Sequence, residues 1–233
     1  MKAFVLLMAF GVFHAYPQEP KFEVASIRAS EPGARGATLY APTPERFAAS
    51  SITVKGLIAF AYDVRDFQIS GGPKWLDSNL YDVVARPEGD ITGDHVMAML
   101  RSLLTDRFGL KIDHITQELP VFVLSVAKSG QKLQVSAGVG PDLRGGSGRI
   151  SGHKITVKML AAWLGDRVGR QVVDRTGIAG EFDFDLVWTP DDSQEMGPAL
   201  PTALEEQLGL KLETERAPVD MVKIREVTLP SAN

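Results

Sequence analysis

The chain has 233 residues, 44% of them apolar and 23% charged, with a formal net charge of −4. That balance can fill an ordinary globular core but offers no basic field to hold nucleic acid or anionic lipid. No cysteine is present, which excludes disulfides, cysteine-ligated zinc, thiol catalysis and lipid attachment through an N-terminal cysteine.

Met1-Lys2 gives a positive start, Ala3–Phe13 an unbroken apolar run, and Tyr16-Pro17-Gln18-Glu19-Pro20 a polar exit that a helix does not easily continue through. This is the layout of a secretory signal peptide over residues 1–15, with cleavage expected after Ala15. The run is too short to cross a bilayer, which takes about 20 residues. No later segment is apolar enough to do so. The mature chain is therefore expected to be exported and soluble, periplasmic or extracellular, with no stable membrane insertion after cleavage.

Beyond the leader, Phe22–Arg28 reads as a strand and Glu31–Pro44 as a Gly/Pro-rich loop. Thr53 is placed to cap a helix whose stripe is Leu57, Phe60, Ala61 and Val64. Tyr81–Pro87 reads as extended. Asp94 is expected to cap the next helix, whose stripe of Val96, Met99, Leu100, Leu103, Leu104 and Phe108 ends at Gly109. Leu110–Thr116 is extended, Pro120 marks a turn, and Val121–Lys128 is a second opening strand. A loop over Ser136–Gly148 precedes a helix capped by Thr156 with Leu160, Trp163, Leu164 and Val168 on its stripe. Phe182, Phe184, Leu186 and Trp188 then alternate with Glu181, Asp183 and Asp185, the pattern of a half-buried strand. Leu200, Ala203, Leu204 and Leu208 form a last helix stopped by Gly209. Leu210–Thr214 is extended, and Pro218 marks another turn.

Several of these segments recur. Ile52-Thr53-Val54-Lys55 returns as Ile155-Thr156-Val157-Lys158, an offset of 155 − 52 = 103. Tyr81–Pro87 aligns with Phe184–Pro190 at the same offset, and Phe108–Ile112 with Leu208–Leu212 at 208 − 108 = 100. Collinear matches of this kind predict two tandem repeats, at 19–118 and 119–230. The expected fold class is α+β, each repeat running strand–strand–helix–hairpin–helix–strands with helices packed on a mainly antiparallel sheet.

The chemistry-bearing residues form no recognisable constellation. His14, His95, His114 and His153 are scattered without a paired ligand spacing, so no metal and no cofactor is expected. There is no nucleophile elbow, and Gly145-Gly146-Ser147-Gly148 reads as a flexible connector. Asp183 with Asp185, and Asp191 with Asp192, read as a solvated strand face and a turn rather than a catalytic pair. No catalytic residue is assigned. The candidate interaction surface is Gly71-Gly72-Pro73-Lys74-Trp75, where Trp75 is either an exposed stacking platform or a loop anchor folded onto the core. Trp163 and Trp188 belong to apolar stripes.

The strings Phe22–Ile27, Ile69–Leu76 with Tyr81-Asp82-Val83, Asp174–Phe184, and the tail from Gln207–Leu212 through Pro218-Val219-Asp220 to Pro230–Asn233 resemble the soil-associated family of exported proteins. That family is a domain of unknown function expanded in Acidobacteria. The resemblance covers nearly all of the mature chain. It implies no established activity, but related domains stand at the extracytoplasmic end of sensor-type membrane peptidases, so it admits a sensing or binding role. The peptidase motif His-Glu-x-x-His is absent here, so proteolysis does not carry over. The expected function is a non-enzymatic binding or interaction module of the cell envelope, its partner an envelope protein or peptide taken at an exposed sheet edge. An envelope-polymer hydrolase and a ligand-sensing domain with a membrane partner are the alternatives.

Overall fold

A computed structural model describes residues 20–34, 36–89, 92–190 and 197–230. The expected leader at 1–15 and its cleavage site lie outside the described residues, as do Asp191-Asp192. In chain order the elements are β1 (Phe22–Ala29), β2 (Thr38–Leu39), β3 (Phe47–Thr53), α1 (Val54–Ala61), β4 (Ile69–Gly71), α2 (Trp75–Ser78), β5 (Leu80–Pro87), α3 (Gly93–Phe108) and β6 (Lys111–Val126). They are followed by β7 (Gln134–Val135), β8 (Asp142–Gly146), β9 (Arg149–Ile155), α4 (Val157–Val168), β10 (Val172–Asp174), β11 (Phe182–Val187), α5 (Leu200–Ala203) and β12 (Leu210–Glu226). Between α5 and β12, Leu204–Leu208 continues as one wide, π-type turn.

The two threonines cap as their position in the sequence suggests. Thr53 accepts from the Gly56 amide at 3.0 Å, and Thr156 accepts from the Met159 amide at 3.2 Å. Asp94 does not cap α3. The helix starts two residues earlier than such a cap implies, at Gly93 with Thr92 in the cap position, so Asp94 sits inside the first turn, where its charge faces the helix dipole. Gly109 closes α3 in the left-handed region at φ 58°.

The fold is α+β, but the strands form three four-stranded sheets rather than one. Two are antiparallel, ordered β1-β5-β3-β2 and β7-β11-β9-β8. The third, β10-β6-β12-β4, has a long antiparallel centre and two short parallel edges. β2 falls within the expected loop 31–44, and β8 within 136–148. Gly145 and Gly146 belong to β8, and Ser147-Gly148 is the tight turn into β9, so this stretch is a hairpin and not a connector.

β6 and β12 pair from Leu210↔Val126 to Glu226↔Lys111. Pro120 and Pro218 lie inside these strands and do not turn the chain. The reason is the hydrogen-bond parity. The Phe122 amide donates outward to the Gln171 carbonyl at 2.8 Å, so alternate positions of the ribbon, including Pro120 and Pro218, turn their backbone polar groups away from the partner strand. A proline there removes no bond of the β6/β12 ladder, and it blunts the open edge.

One face of the ribbon serves two cores. Val222 and Ile224 join the first, with α1, the α3 stripe, Phe47, Tyr81 and Val83. Leu124 and Leu210 join the second, with Leu160 and Leu164 of α4, Ile150, Phe182, Leu186 and Trp188. The opposite face carries Val121, Val123, Val219 and Met221.

Candidate functional site

An open cleft of about 560 Å³ lies over β8, β9 and β11, reached also by Lys132, Gln134 and Gln207. Strand register sets its rows. Asp142 of β8 stands opposite His153 of β9, and Arg144 stands opposite Ser151. On the other side of β9, Ser151 stands opposite Asp185 of β11.

Asp183 is the pivot of the cleft. β9 bulges opposite it, with His153 and Lys154 facing one residue of β11, and Lys154 takes φ 56°. The Lys154 amide donates to Asp183 Oδ1 at 2.9 Å, and His153 Nδ1 donates to the same oxygen at 2.8 Å. A hydrogen bond from the Ser136 hydroxyl, then the Lys154 amide, hold the Asp183 carboxyl below the usual carboxylate range, with His153 adding to both. Asp185 is held low in the same way, first by the Ser151 hydroxyl and then by Arg149, whose Nη2 lies 3.0 Å away.

The first half of the chain contains the same clamp. β3 bulges opposite Asp82 of β5, Ser51 takes φ 51°, its amide donates to Asp82 Oδ1 at 2.8 Å, and the Ser30 hydroxyl donates to that oxygen at 2.9 Å. The Ser51 amide and then Ser30 hold Asp82 below the carboxylate range. Ser30, Ser51 and Asp82 thus stand where Ser136, Lys154 and Asp183 stand. The clamp pays the conformational cost of a positive-φ residue with a charge-assisted hydrogen bond. Asp183 is therefore accounted for as a strand-fixing residue, and His153, whose counterpart at the other bulge is Ser50, is what the cleft adds.

The bulge positions give an offset that differs from that of the sequence match. Asp82 matches Asp183, an offset of 183 − 82 = 101, and not Asp185 at 103. A slip of two residues leaves the in–out pattern of a strand unchanged, so side-chain alternation alone does not detect it.

Fixed charges and hydrogen-bond donors line the cleft. The Ser151 hydroxyl is committed to Asp185, and among the described residues no serine hydroxyl reaches His153. Asp183 and Asp185 are both displaced downward, so neither is held protonated as a general acid. Among the described residues no three histidine, aspartate or glutamate side chains converge to hold a metal ion. No described helix is long and apolar enough to cross a membrane.

The edge of β11 is closed by a side chain. β7 pairs with β11 only at Phe182 and Asp183. Further along, the Val187 amide donates to Gln207 Oε1 at 3.0 Å, and Gln207 Nε2 donates to the Val187 carbonyl at 2.7 Å, so one glutamine amide stands in for a strand residue. Between these points, Phe184–Leu186 has no strand partner on that side among the described residues.

Gly71-Gly72-Pro73-Lys74-Trp75 lies elsewhere, at the end of β4 and the start of α2. A Cβ on Gly71 would meet the Ile224 carbonyl oxygen at 2.8 Å, so glycine is what allows β4 to lie against β12 there. Trp75 is half-buried against the first core. Trp188 is buried, and Trp163 packs edge-on against it with ring centroids 5.9 Å apart. His95 occupies the first turn of α3, and His114 lies on β6. The His153–Asp183 pair is not legible from spacing, since its members are 183 − 153 = 30 residues apart on two strands. The recurrence of a serine–aspartate pair in both halves is the signal that points toward it.

No curated protein and no solved structure matches the chain. Residues 55–227, most of the chain and all of both bulge clamps except Ser30 and Ser51, match the family described as protein of unknown function DUF3738, and the chain belongs to that family.

Proposed function

We propose that this protein is an exported, non-enzymatic binding module of the cell envelope, and that the cleft over β8, β9 and β11 takes a polar chain, an envelope peptide or a segment of an envelope protein. One observation carries the reading: the cleft's central carboxylate, Asp183, is already engaged in fixing a bulge that recurs without a histidine in the other half. Arg144, Ser151, His153 and Asp185 supply ordered donors and acceptors along β8, β9 and β11, as polymer recognition needs, and Asp183 and Asp185, held ionised, do not offer the neutral acid that glycoside hydrolysis needs. The unpaired stretch of β11 at Phe184–Leu186 offers a short piece of backbone beside them. On the same reading the two halves are copies of one unit, and the strings around Asp174–Phe184 support a likeness to the soil-associated family of exported proteins.

The test is a pull-down from envelope extract with the chain beginning at Tyr16, run beside Arg144→Ala and Ser151→Ala, with release of soluble fragments from purified envelope polymer measured in parallel. Retention of a partner by the wild type, lost in both variants while their melting is unchanged, supports the reading. Fragment release by the wild type that His153→Ala abolishes would overturn it in favour of a hydrolase.

A further inference from the structure

The second core opens on its other side into a cavity of about 530 Å³, bounded by the end of α4, the start of α5 and the two ribbon strands. Its walls include Phe122, Trp188, Leu200 and Leu212, and its charged groups are Arg167 and Arg170. The Arg170 guanidinium lies 5.1 Å from the Phe122 ring centroid, and that of Arg167 lies 5.6 Å from the Trp188 ring centroid. Arg167 also donates to the Ser147 hydroxyl at 3.4 Å.

These two arginines differ in their partners from six others. Arg65, Arg86, Arg144, Arg149, Arg175 and Arg225 each reach a carboxylate. Among the described residues, Arg167 and Arg170 reach none, and Arg170 is half-buried. A partly desolvated guanidinium without a counter-anion is costly, and stacking on an aromatic face offsets only part of that cost while fixing the group in place. The half-buried Arg170, with the exposed Arg167 beside it and apolar walls around them, forms a receptor for a single negative charge, in a volume within the range of small-molecule sites.

We infer that this cavity binds an amphipathic monocarboxylate, with its aliphatic or aryl body against Phe122, Trp188, Leu200 and Leu212 and its carboxylate between Arg167 and Arg170. A carboxylate suits the site because its planar pair of oxygens matches the guanidinium fork, and because its single charge limits the desolvation that the apolar walls impose. The site is separate from the β8–β9–β11 cleft and stands whether or not that cleft binds a polymer.

The experiment titrates the chain beginning at Tyr16 with decanoate, decanol and decyltrimethylammonium, following tryptophan fluorescence and the indole NMR signal of Trp188. Decanoate is expected to bind at least about tenfold more tightly than decanol, with an affinity that falls as salt rises, and the ammonium compound is expected not to bind. Arg167→Gln with Arg170→Gln should bring decanoate down to the affinity of decanol, and the paired lysine substitutions should restore part of the difference. Equal binding of decanoate and decanol by the wild type, or binding that leaves the Trp188 signal unmoved, overturns the inference without recourse to any variant.

Discussion

Asp82, Asp183 and Asp185 are each held ionised by hydrogen bonds that exist only in the folded chain. Their folded pKa values lie below the unfolded value of 3.8, so the stability they contribute is present above that pH and is lost as pH falls through the lower folded values. Thermal melts from pH 6 down to about 2 should therefore show a decline in Tm that steepens below about pH 4, where carboxylates titrate. Asp82→Asn with Asp183→Asn should be less stable at pH 6 and flatter across the acid range. An acid slope equal to that of the wild type would mean that the clamps contribute nothing to folding. The two bulges also show why a half-buried aspartate is a poor guide to catalysis. The same low pKa serves a turn of backbone in one half and lies beside a histidine in the other.

The helices give sharper tests, because their ends and stripes have separate costs. Leu104 is fully buried in the middle of the α3 stripe, so Leu104→Ala should cost about 2–5 kcal/mol in urea unfolding. Thr53→Ala removes a cap bond that is made and should cost about 1 kcal/mol, whereas Asp94→Asn removes only a charge near the helix start and should cost a few tenths to about 1 kcal/mol. The two stop glycines differ in their surroundings. Gly109 and Gly209 both hold positive φ, 58° and 65°, but a Cβ on Gly109 would have only Thr228 Oγ1 within reach, at 3.5 Å, while one on Gly209 would run into the Gly130 carbonyl. Gly209→Ala should therefore be the more damaging of the pair, and equal losses would show that backbone conformation alone sets the cost. Trp75 packs on the first core, so Trp75→Ala should lower Tm, and a variant as stable as the wild type would show that its ring is not an anchor.

At the scale of the molecule, the β6/β12 ribbon is what makes the halves interdependent. β6 runs without a break across positions 118 and 119, and β12 gives Leu210 to one core and Val222 and Ile224 to the other. The Arg65–Asp166 ion pair, 2.7 Å, also joins the halves, but both side chains are about half exposed and such a pair contributes little. Burial even outweighs the Arg65 charge and leaves the Asp166 carboxyl above its ordinary value. A fragment of residues 20–118 should consequently fail to fold alone, since it lacks the β12 residues that close its core. The whole chain should unfold in one transition by fluorescence and circular dichroism. A separately folded fragment with a cooperative melt would show that the ribbon is not what couples the two cores.

What the sequence determined by itself is local: the threonine caps, the α3 stripe, the glycine stops and the alternation of β11. Each depends on neighbours within a few residues, and propensity and periodicity act over that range. That the chain carries a domain of unknown function was also legible, since that likeness resides in ordered strings of residues. Long-range pairing was decided only in three dimensions. Nothing local shows that Pro120 and Pro218 face outward on a ribbon, because backbone parity is set by the partner strand. Nothing local tells Asp183 from Asp185, because strands repeat every two residues and only the bulge on β9 breaks the tie. His153 and Asp183, and the arginines around Trp188 and Phe122, come together because three sheets and two cores place distant segments side by side.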